Sequence, residues 1–388
     1  MRERRVSIGA LRNTAIIIAL VIAVPVIATM ASCSGPSNQT AAESPSATPA
    51  TTPSPTPVVT PVAAPLPTSP LTGLPETSPA PVLVVKLDNT RNAQPHAGLT
   101  DADIVYIEEV EYGITRLAAV FSSAIPGRIG PVRSARITDI DLLAQYGSPA
   151  FAFSGAQRKL LPELAEAPFI DISPNRGASS YGRDFDRSAP YNYFLDGTIG
   201  LKRAPDASLD HHMGFAFAPE PPAGGFAARK VRMEWSYASA AFTYDDESGL
   251  YKVQLNGERA RAEEHDRGQN AATVVIQYVN QEPSAYFDKG GGNTPHAETI
   301  GRGRALVLRD GRSWDVTWER PDADSGTTFL MADGSPMPFK PGQQWIVLLD
   351  RDRPAKVSAP ATPSASSPPA PSASSPPAPT GSSSPSRG

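Results

Sequence analysis

Ile104-Val105-Tyr106-Ile107-Glu108-Glu109, then Tyr112-Gly113, then Ile114-Thr115-Arg116-Leu117-Ala118-Ala119-Val120-Phe121-Ser122 is the stretch that decides how this chain folds. Two runs rich in aliphatic, β-branched and aromatic residues flank a short turn, so they read as neighbouring strands. Upstream, Val82-Leu83-Val84-Val85-Lys86-Leu87 is nearly all apolar and reads as a strand buried on both faces. Downstream, Arg136 to Tyr146 carries Ile137, Ile140 and Leu142 or Leu143 at helical spacing. Phe151-Ala152-Phe153 follows as a short strand, and Ala156 to Glu166 as a helix interrupted near Pro162. Strands mixed with helices predict an α/β lobe over residues 70–218.

Beyond a Pro/Gly/Ala-rich stretch from Ala216 to Ala228 the pattern changes. Val231 to Tyr237, Ala241 to Tyr244, Leu250 to Leu255, Thr273 to Val279, Ala305 to Leu308, Trp314 to Trp318 and Gln344 to Leu349 are strand-like. Glu247-Ser248-Gly249, Asn256-Gly257, Asp310-Gly311 and Asp333-Gly334 punctuate them. Regular short strands with such turns predict an antiparallel β-rich lobe, a sandwich or barrel, over residues 229–352. The whole is expected to be an α+β fold.

The flanks are of another kind. Arg2, Arg4, Arg5 and Arg12 precede an apolar run from Thr14 to Met30, which ends in Met30-Ala31-Ser32-Cys33. That is a lipoprotein signal peptide, residues 1–32, with Cys33 as the residue that takes the lipid. An uncleaved anchor is the competing reading, since the run is just long enough to span a bilayer. The lipobox, in place of a basic stop-transfer flank, favours cleavage. Either way the body of the chain lies on the outer face of the cytoplasmic membrane, facing the cell wall. Residues 33–69 form a Pro/Thr/Ser-rich stalk that reaches on the order of 100 Å in polyproline II conformation. Residues 353–388 form a Pro/Ser/Ala-rich tail in which PSASSPPA occurs twice, at 363–370 and 371–378.

Composition narrows the chemistry. Cys33 is the only cysteine, so neither a disulfide nor a thiolate metal site is available within the chain. The formal charge of −4 becomes about −7 once residues 1–32 are removed, and no basic stripe is present, which leaves nucleic-acid binding unsupported. His96, His265 and His296 are scattered, and His211-His212 are adjacent residues that point apart, so no zinc spacing exists. No Gly-x-Ser-x-Gly elbow occurs, and no cofactor is expected.

Arg128-Ile129-Gly130-Pro131-Val132-Arg133-Ser134-Ala135-Arg136 sets a Gly-Pro turn before the first predicted helix, with Ser134 as its N-cap. Arg133, Ser134 and Arg136, joined by Arg116 from the neighbouring strand, form a candidate anion site. The structural alternative is internal pairing of these arginines with Asp139, Asp141, Glu109 or Glu111. Asp88, Glu109 and Glu111 are candidates for acid/base work or for a divalent ion, with Glu109 and Glu111 on one strand face and Glu108 on the other. Turn-making is the simpler role for Asp88-Asn89, and a solvated face partnering arginine for the glutamates. Trp235, Trp314, Trp318, Trp345, Tyr244 and Tyr251 gather in the second lobe, where core packing is commoner than an exposed glycan platform.

Pro70-Leu71-Thr72-Gly73-Leu74, Lys86-Leu87-Asp88-Asn89, Gly98-Leu99, Ala102-Asp103-Ile104-Val105-Tyr106, Gly113-Ile114-Thr115-Arg116 and the Ile129 to Arg136 string together resemble the YerB-like lipoprotein family. The stretch around Trp314 to Trp318, Asp333-Gly334, Pro341-Gly342 and Trp345-Ile346-Val347 is similar to the same family's C-terminal part. The resemblance covers nearly all of Pro70 to Asp352 and implies an envelope lipoprotein with the two successive domains of domain of unknown function 3048. This chain departs from the family at Ile107, where an acid is usual, and at Tyr191 of Ala189-Pro190-Tyr191-Asn192, where a histidine is usual. Both departures count against an enzyme.

The expectation is a binding module held to the membrane by its lipid, taking an anionic cell-envelope ligand such as a cell-wall polymer, or an envelope protein. An enzyme acting on a phosphate-linked polymer or lipid and an assembly scaffold are its alternatives. Fold-level likeness to LytR-type phosphotransferases is what prompts the enzyme alternative.

Overall fold

The computed structural model describes residues 67–359. The signal segment, Cys33, most of the stalk and the tail from residue 360 lie outside the described residues.

Strands β1 (Leu83–Asp88), β2 (Ile104–Glu109) and β3 (Thr115–Phe121) form where the apolar runs predict them. β3 pairs antiparallel with both β1 and β2. Tyr112 and Gly113 make the turn between β2 and β3, both at positive φ (63° and 68°). β4 (Ala150–Ala152) joins β1 in parallel, and β5 (Ile170–Asp171) extends the edge. Because β1 and β3 are buried on both faces, their sequences show no polar alternation.

The helices are shorter than their sequence pattern suggests. α1 (Thr138–Ala144), α2 (Leu161–Glu166) and α3 (Gly197–Leu201) are all of the α-helix among the described residues. Pro162 lies in the first turn of α2, where its missing N–H costs nothing, so the helix begins there instead of being interrupted. The expected α/β lobe is therefore β-rich, with short helical connections between its strands.

The C-terminal segment does not close on itself. Lys230–Glu234, Ser239–Asp245 and Leu250–Leu255 form an antiparallel meander as predicted. Thr273–Phe287, Gly301–Arg309 and Arg312–Arg320 instead continue the sheet begun by β1–β3. The join is made by Gln344–Asp350, which runs parallel to β2 on one side and to Thr273–Phe287 on the other. Gln344 is level with Ile104 and with Thr273, so one strand knits both halves into a 12-stranded mixed sheet. The fold also extends past residue 352, since Lys356–Ser358 pairs with Lys230–Arg232 at the edge of the meander. The turns at Asn256-Gly257 (φ 55° and 86°) and Asp310-Gly311 (φ 49° and 71°) take the conformation that right-twisted hairpins require.

Strand parity divides the core in two. Leu83, Val85, Leu87, Val105, Ile107, Leu117, Phe121, Trp345 and Val347 face the meander and its Val231, Met233, Phe242 and Val253. Val84, Ile104, Tyr106, Ala118, Val120, Ile346 and Leu348 face the helices and a cluster of Phe151, Phe153, Phe215, Phe329 and Phe339. The four tryptophans lie within these cores, each 6% exposed or less, which removes them as surface platforms. No helix among the described residues is long and apolar enough to cross a membrane.

Candidate functional site

On the helix-facing side, the alternation that buries Val84 also buries Lys86 and Asp88 from β1, Glu108 from β2 and Arg116 from β3. Ala118 lies level with Lys86 on β3, and its small side chain leaves room for the lysine to cross the strand. Lys86 Nζ donates to Glu108 Oε2 at 2.6 Å and to Asp139 Oδ1 of α1 at 2.7 Å. All three are at most 1% exposed. The second oxygen of Asp139 accepts from the Arg136 backbone N–H at 2.6 Å, which ties the start of α1 to the sheet. Burial first, and then the Asp139 charge, push the Glu108 carboxyl up to about 7 against the pull of Lys86. Its Oε1 is buried without a donor.

The Ile129 to Arg136 string runs beside the end of β1. Asp88 N–H donates to the Pro131 carbonyl at 3.0 Å, and Arg133 N–H to that of Lys86 at 2.7 Å. Gly130 is needed for space, because a Cβ there would come within 2.5 Å of Phe194. This path delivers the arginines to one place. Arg133 Nε donates to Asp88 Oδ2 at 2.8 Å. Arg136 Nη2 donates to Glu111 Oε2 at 2.7 Å, and its Nη1 to the Ala135 carbonyl at 2.9 Å. Thr294 also donates to Glu111. Arg116 Nη1 donates to the Ser134 carbonyl at 2.6 Å.

Arg116 stands apart from the other two. It is 8% exposed, it makes that single hydrogen bond, and it has no ion pair among the described residues. Burial, then the charges of Arg136 and Arg133, push its guanidinium down to about 9, still protonated at neutral pH. Three guanidinium groups thus face two carboxylates, Asp88 and Glu111, and Arg116 has no carboxylate of its own, the nearby Glu108 being bound to Lys86. Burial alone would raise Glu111, but the Arg136 and Thr294 hydrogen bonds bring it below its ordinary value, so it stays ionised. Asp88 is held further by Thr90, whose N–H and Oγ1 both donate to Oδ1, at 2.7 and 2.6 Å. His96 is fully buried, with Nε2 2.7 Å from the Asp88 carbonyl, and burial lowers its pKa and keeps it neutral.

The structure therefore brings Arg116, Arg133, Ser134 and Arg136 together, with Asp88 and Glu111 as their partners. It corrects other parts of the sequence reading. Ser134 is not an N-cap: α1 begins at Thr138, without a side-chain cap at its first position. The seven-residue helix offers no dipole-based anion site, so the positive charge comes from the guanidinium groups. Glu109 and Glu111 do not share a face, because β2 ends at Glu109 and Glu111 lies in a 3-10 turn. Glu109 turns toward Arg353 (3.3 Å) on the meander side, where burial raises its pKa. Asp88, Glu109 and Glu111 are each taken by a different arginine, and among the described residues no group of three acids or histidines is placed to hold a metal ion. Lys86 and Asp139 escaped the sequence reading as site residues; the one charged residue inside the apolar run at 82–87 was the available signal.

These features define a class: a β-rich protein whose continuous mixed sheet carries a buried arginine–carboxylate cluster at the ends of three strands. Residues 71–209 match the model described as "Protein of unknown function (DUF3048) N-terminal domain", and residues 230–346 its C-terminal domain. The chain belongs to this family. It is 26% identical over 294 residues to the Bacillus subtilis (strain 168) protein described as "Putative lipoprotein YerB", spanning 72% of this chain and 85% of that one. The crystal structure of the YerB protein from Bacillus subtilis superposes with a TM-score of 0.62 at 22% identity, over 75% of this chain and 99% of that chain, and so shares the fold.

Two outcomes follow from the cluster. Glu108 has a folded-state pKa above its ordinary 4.5, so its contribution to stability is whole below about pH 4.5 and is lost as pH rises through about 7. The urea midpoint should carry a corresponding fall between pH 5 and 8, and Glu108→Gln should remove that part of the slope. A variant that keeps the full slope would show Glu108 ionised throughout. Arg136→Ala strands the buried Glu111 carboxylate and should lower the unfolding free energy by about 3–5 kcal/mol in urea titration. A change under about 1 kcal/mol would mean that water or a rearranged partner replaces the arginine.

Proposed function

We propose that this protein is a lipid-anchored lipoprotein on the outer face of the cytoplasmic membrane, and that its folded domain binds an anionic cell-envelope ligand at Arg116, Arg133 and Arg136. The observation that carries the ligand reading is Arg116, a buried guanidinium with one hydrogen bond and no ion pair among the described residues, beside two further arginines. A phosphate or carboxylate supplies the acceptors that such a fork leaves unused. Arg133, with its side chain 29% exposed, is the member a ligand reaches first. Ser134 contributes its carbonyl as the point on which Arg116 is fixed. The anchoring reading rests on the basic n-region, the apolar run and the Met30 to Cys33 lipobox, and on the printed description of the Bacillus subtilis relative. Binding is favoured over catalysis because Asp88 and Glu111, the acids nearest the arginines, are both committed to ion pairs.

Two experiments test this. Mass spectrometry of the membrane-extracted protein should find its N-terminus at a diacylglyceryl-modified Cys33; an unmodified cysteine in a chain that still carries residues 14–30 would point to an uncleaved anchor. Binding of the purified protein should be measured against vesicles bearing phosphate-monoester headgroups and against isolated cell wall. Arg133→Lys, which leaves Asp88 a positive charge but removes the guanidinium fork, should weaken that binding about tenfold with the unfolding midpoint little changed. Equal binding by the variant, or none by the parent, would sink the anion-site reading and turn the search to a protein partner.

A further inference from the structure

A second site lies on the other side of the Glu111–Gly113 turn. Tyr112 and Tyr237 are large aromatic residues left 46% and 77% exposed, in a protein that buries all four of its tryptophans. They flank a cleft of ≈ 410 Å³, within the roughly 300–1,000 Å³ of small-ligand pockets. Tyr237 also lines a second cleft of ≈ 440 Å³, and the two share Arg91 and Asn256, so the depressions form one groove with Tyr237 as a ridge between them.

Tyr112 is held firmly. It sits at φ 63°, a conformation that is strained for a bulky residue and persists only when its surroundings hold it there. Its hydroxyl donates to Asp288 Oδ1 at 3.0 Å. Its ring lies against Gly292 so closely that a Cβ there would come within 2.5 Å of it. A backbone hydrogen bond from Tyr237 N–H to the Gly113 carbonyl, 3.0 Å, joins the two turns that carry the tyrosines.

The rest of the lining is polar. Ile114 is the only aliphatic residue of the first cleft, and Asn89, Thr90, Arg91 and Asn256 complete it. Asn256 Nδ2 donates to the Asn89 carbonyl at 2.5 Å, and Asn89 Nδ2 to Thr115 Oγ1 at 2.8 Å. The Asn89 side-chain oxygen is buried without a donor behind this lining. Exposed aromatic faces beside amide and hydroxyl groups match a sugar, whose ring has an apolar C–H face and a hydroxyl edge.

We propose that the groove binds an uncharged stretch of polysaccharide, with successive sugar rings stacked on Tyr112 and Tyr237. This site is distinct from the arginine cluster and stands or falls independently of it. The test is an array of neutral hexose and N-acetylhexosamine oligosaccharides of several linkages, probed with the purified full chain. Binding to one or more of them is expected, weakened about tenfold by Tyr237→Ala and by Tyr112→Ala, retained by Tyr237→Phe, and unchanged by Arg133→Lys. Tyr237 is exposed enough that its alanine variant should keep the parent's unfolding midpoint, so lost binding there cannot be misfolding. An array with no bound oligosaccharide, or binding that Tyr237→Ala leaves intact, overturns the proposal.

Discussion

One strand holds this molecule together. Gln344–Asp350 arrives last among the central strands and fits between β2 and Thr273–Phe287, parallel to both. Its backbone donors and acceptors are satisfied on both edges only when the two halves of the chain are already side by side. Every residue from Gln344 to Leu349 is buried, with Trp345 packed edge-on against Phe242 of the meander. Neither half would cover this strand alone, so the two family segments share a core although they are consecutive in sequence.

That shared sheet also sets where charge is tolerated. Over most of its helix-facing side the residues are aliphatic or aromatic, but at the ends of β1, β2 and β3 the same parity places Lys86, Asp88, Glu108 and Arg116. Burying ionised groups is costly unless they are paired and hydrogen-bonded, and here nearly all are. Lys86 bridges two carboxylates, while Asp88 and Glu111 each take an arginine. Arg116 is the exception, with one carbonyl for five donors. Arg116 lies beside the Arg133 side chain, which reaches solvent.

The strands were the most legible part of the sequence. β1 to β3 lie within a residue or two of the apolar runs that suggested them, because a strand buried on both faces needs an unbroken apolar string. The Asn256-Gly257 and Asp310-Gly311 turns were equally plain, since few other pairs reach positive φ twice in succession. Helix lengths were not legible: Ile137 belongs to the periodic pattern yet precedes α1, because the Arg133 to Arg136 segment is held extended along the sheet by Lys86 and Gly155. At the site, the arginines, Ser134, Asp88 and Glu111 were all identified. Lys86 was not, and Asp139 was named only as a partner for the arginines, because the Lys86–Asp139 contact spans 53 positions.

Sequence by itself determined the apolar and polar order of the strands, the turns that reverse them, the identity of the charged residues and the family to which the chain belongs. These depend on neighbours a few positions apart, where side-chain period and backbone preference act directly. Tertiary structure alone decided that the two halves share one sheet, that Glu109 and Glu111 part company, and that Arg116 lacks a carboxylate. It also decided that the tryptophans are core while Tyr112 and Tyr237 are surface. Each of these rests on contacts between residues tens to hundreds of positions apart, and no local pattern encodes which of several possible partners a buried group will meet.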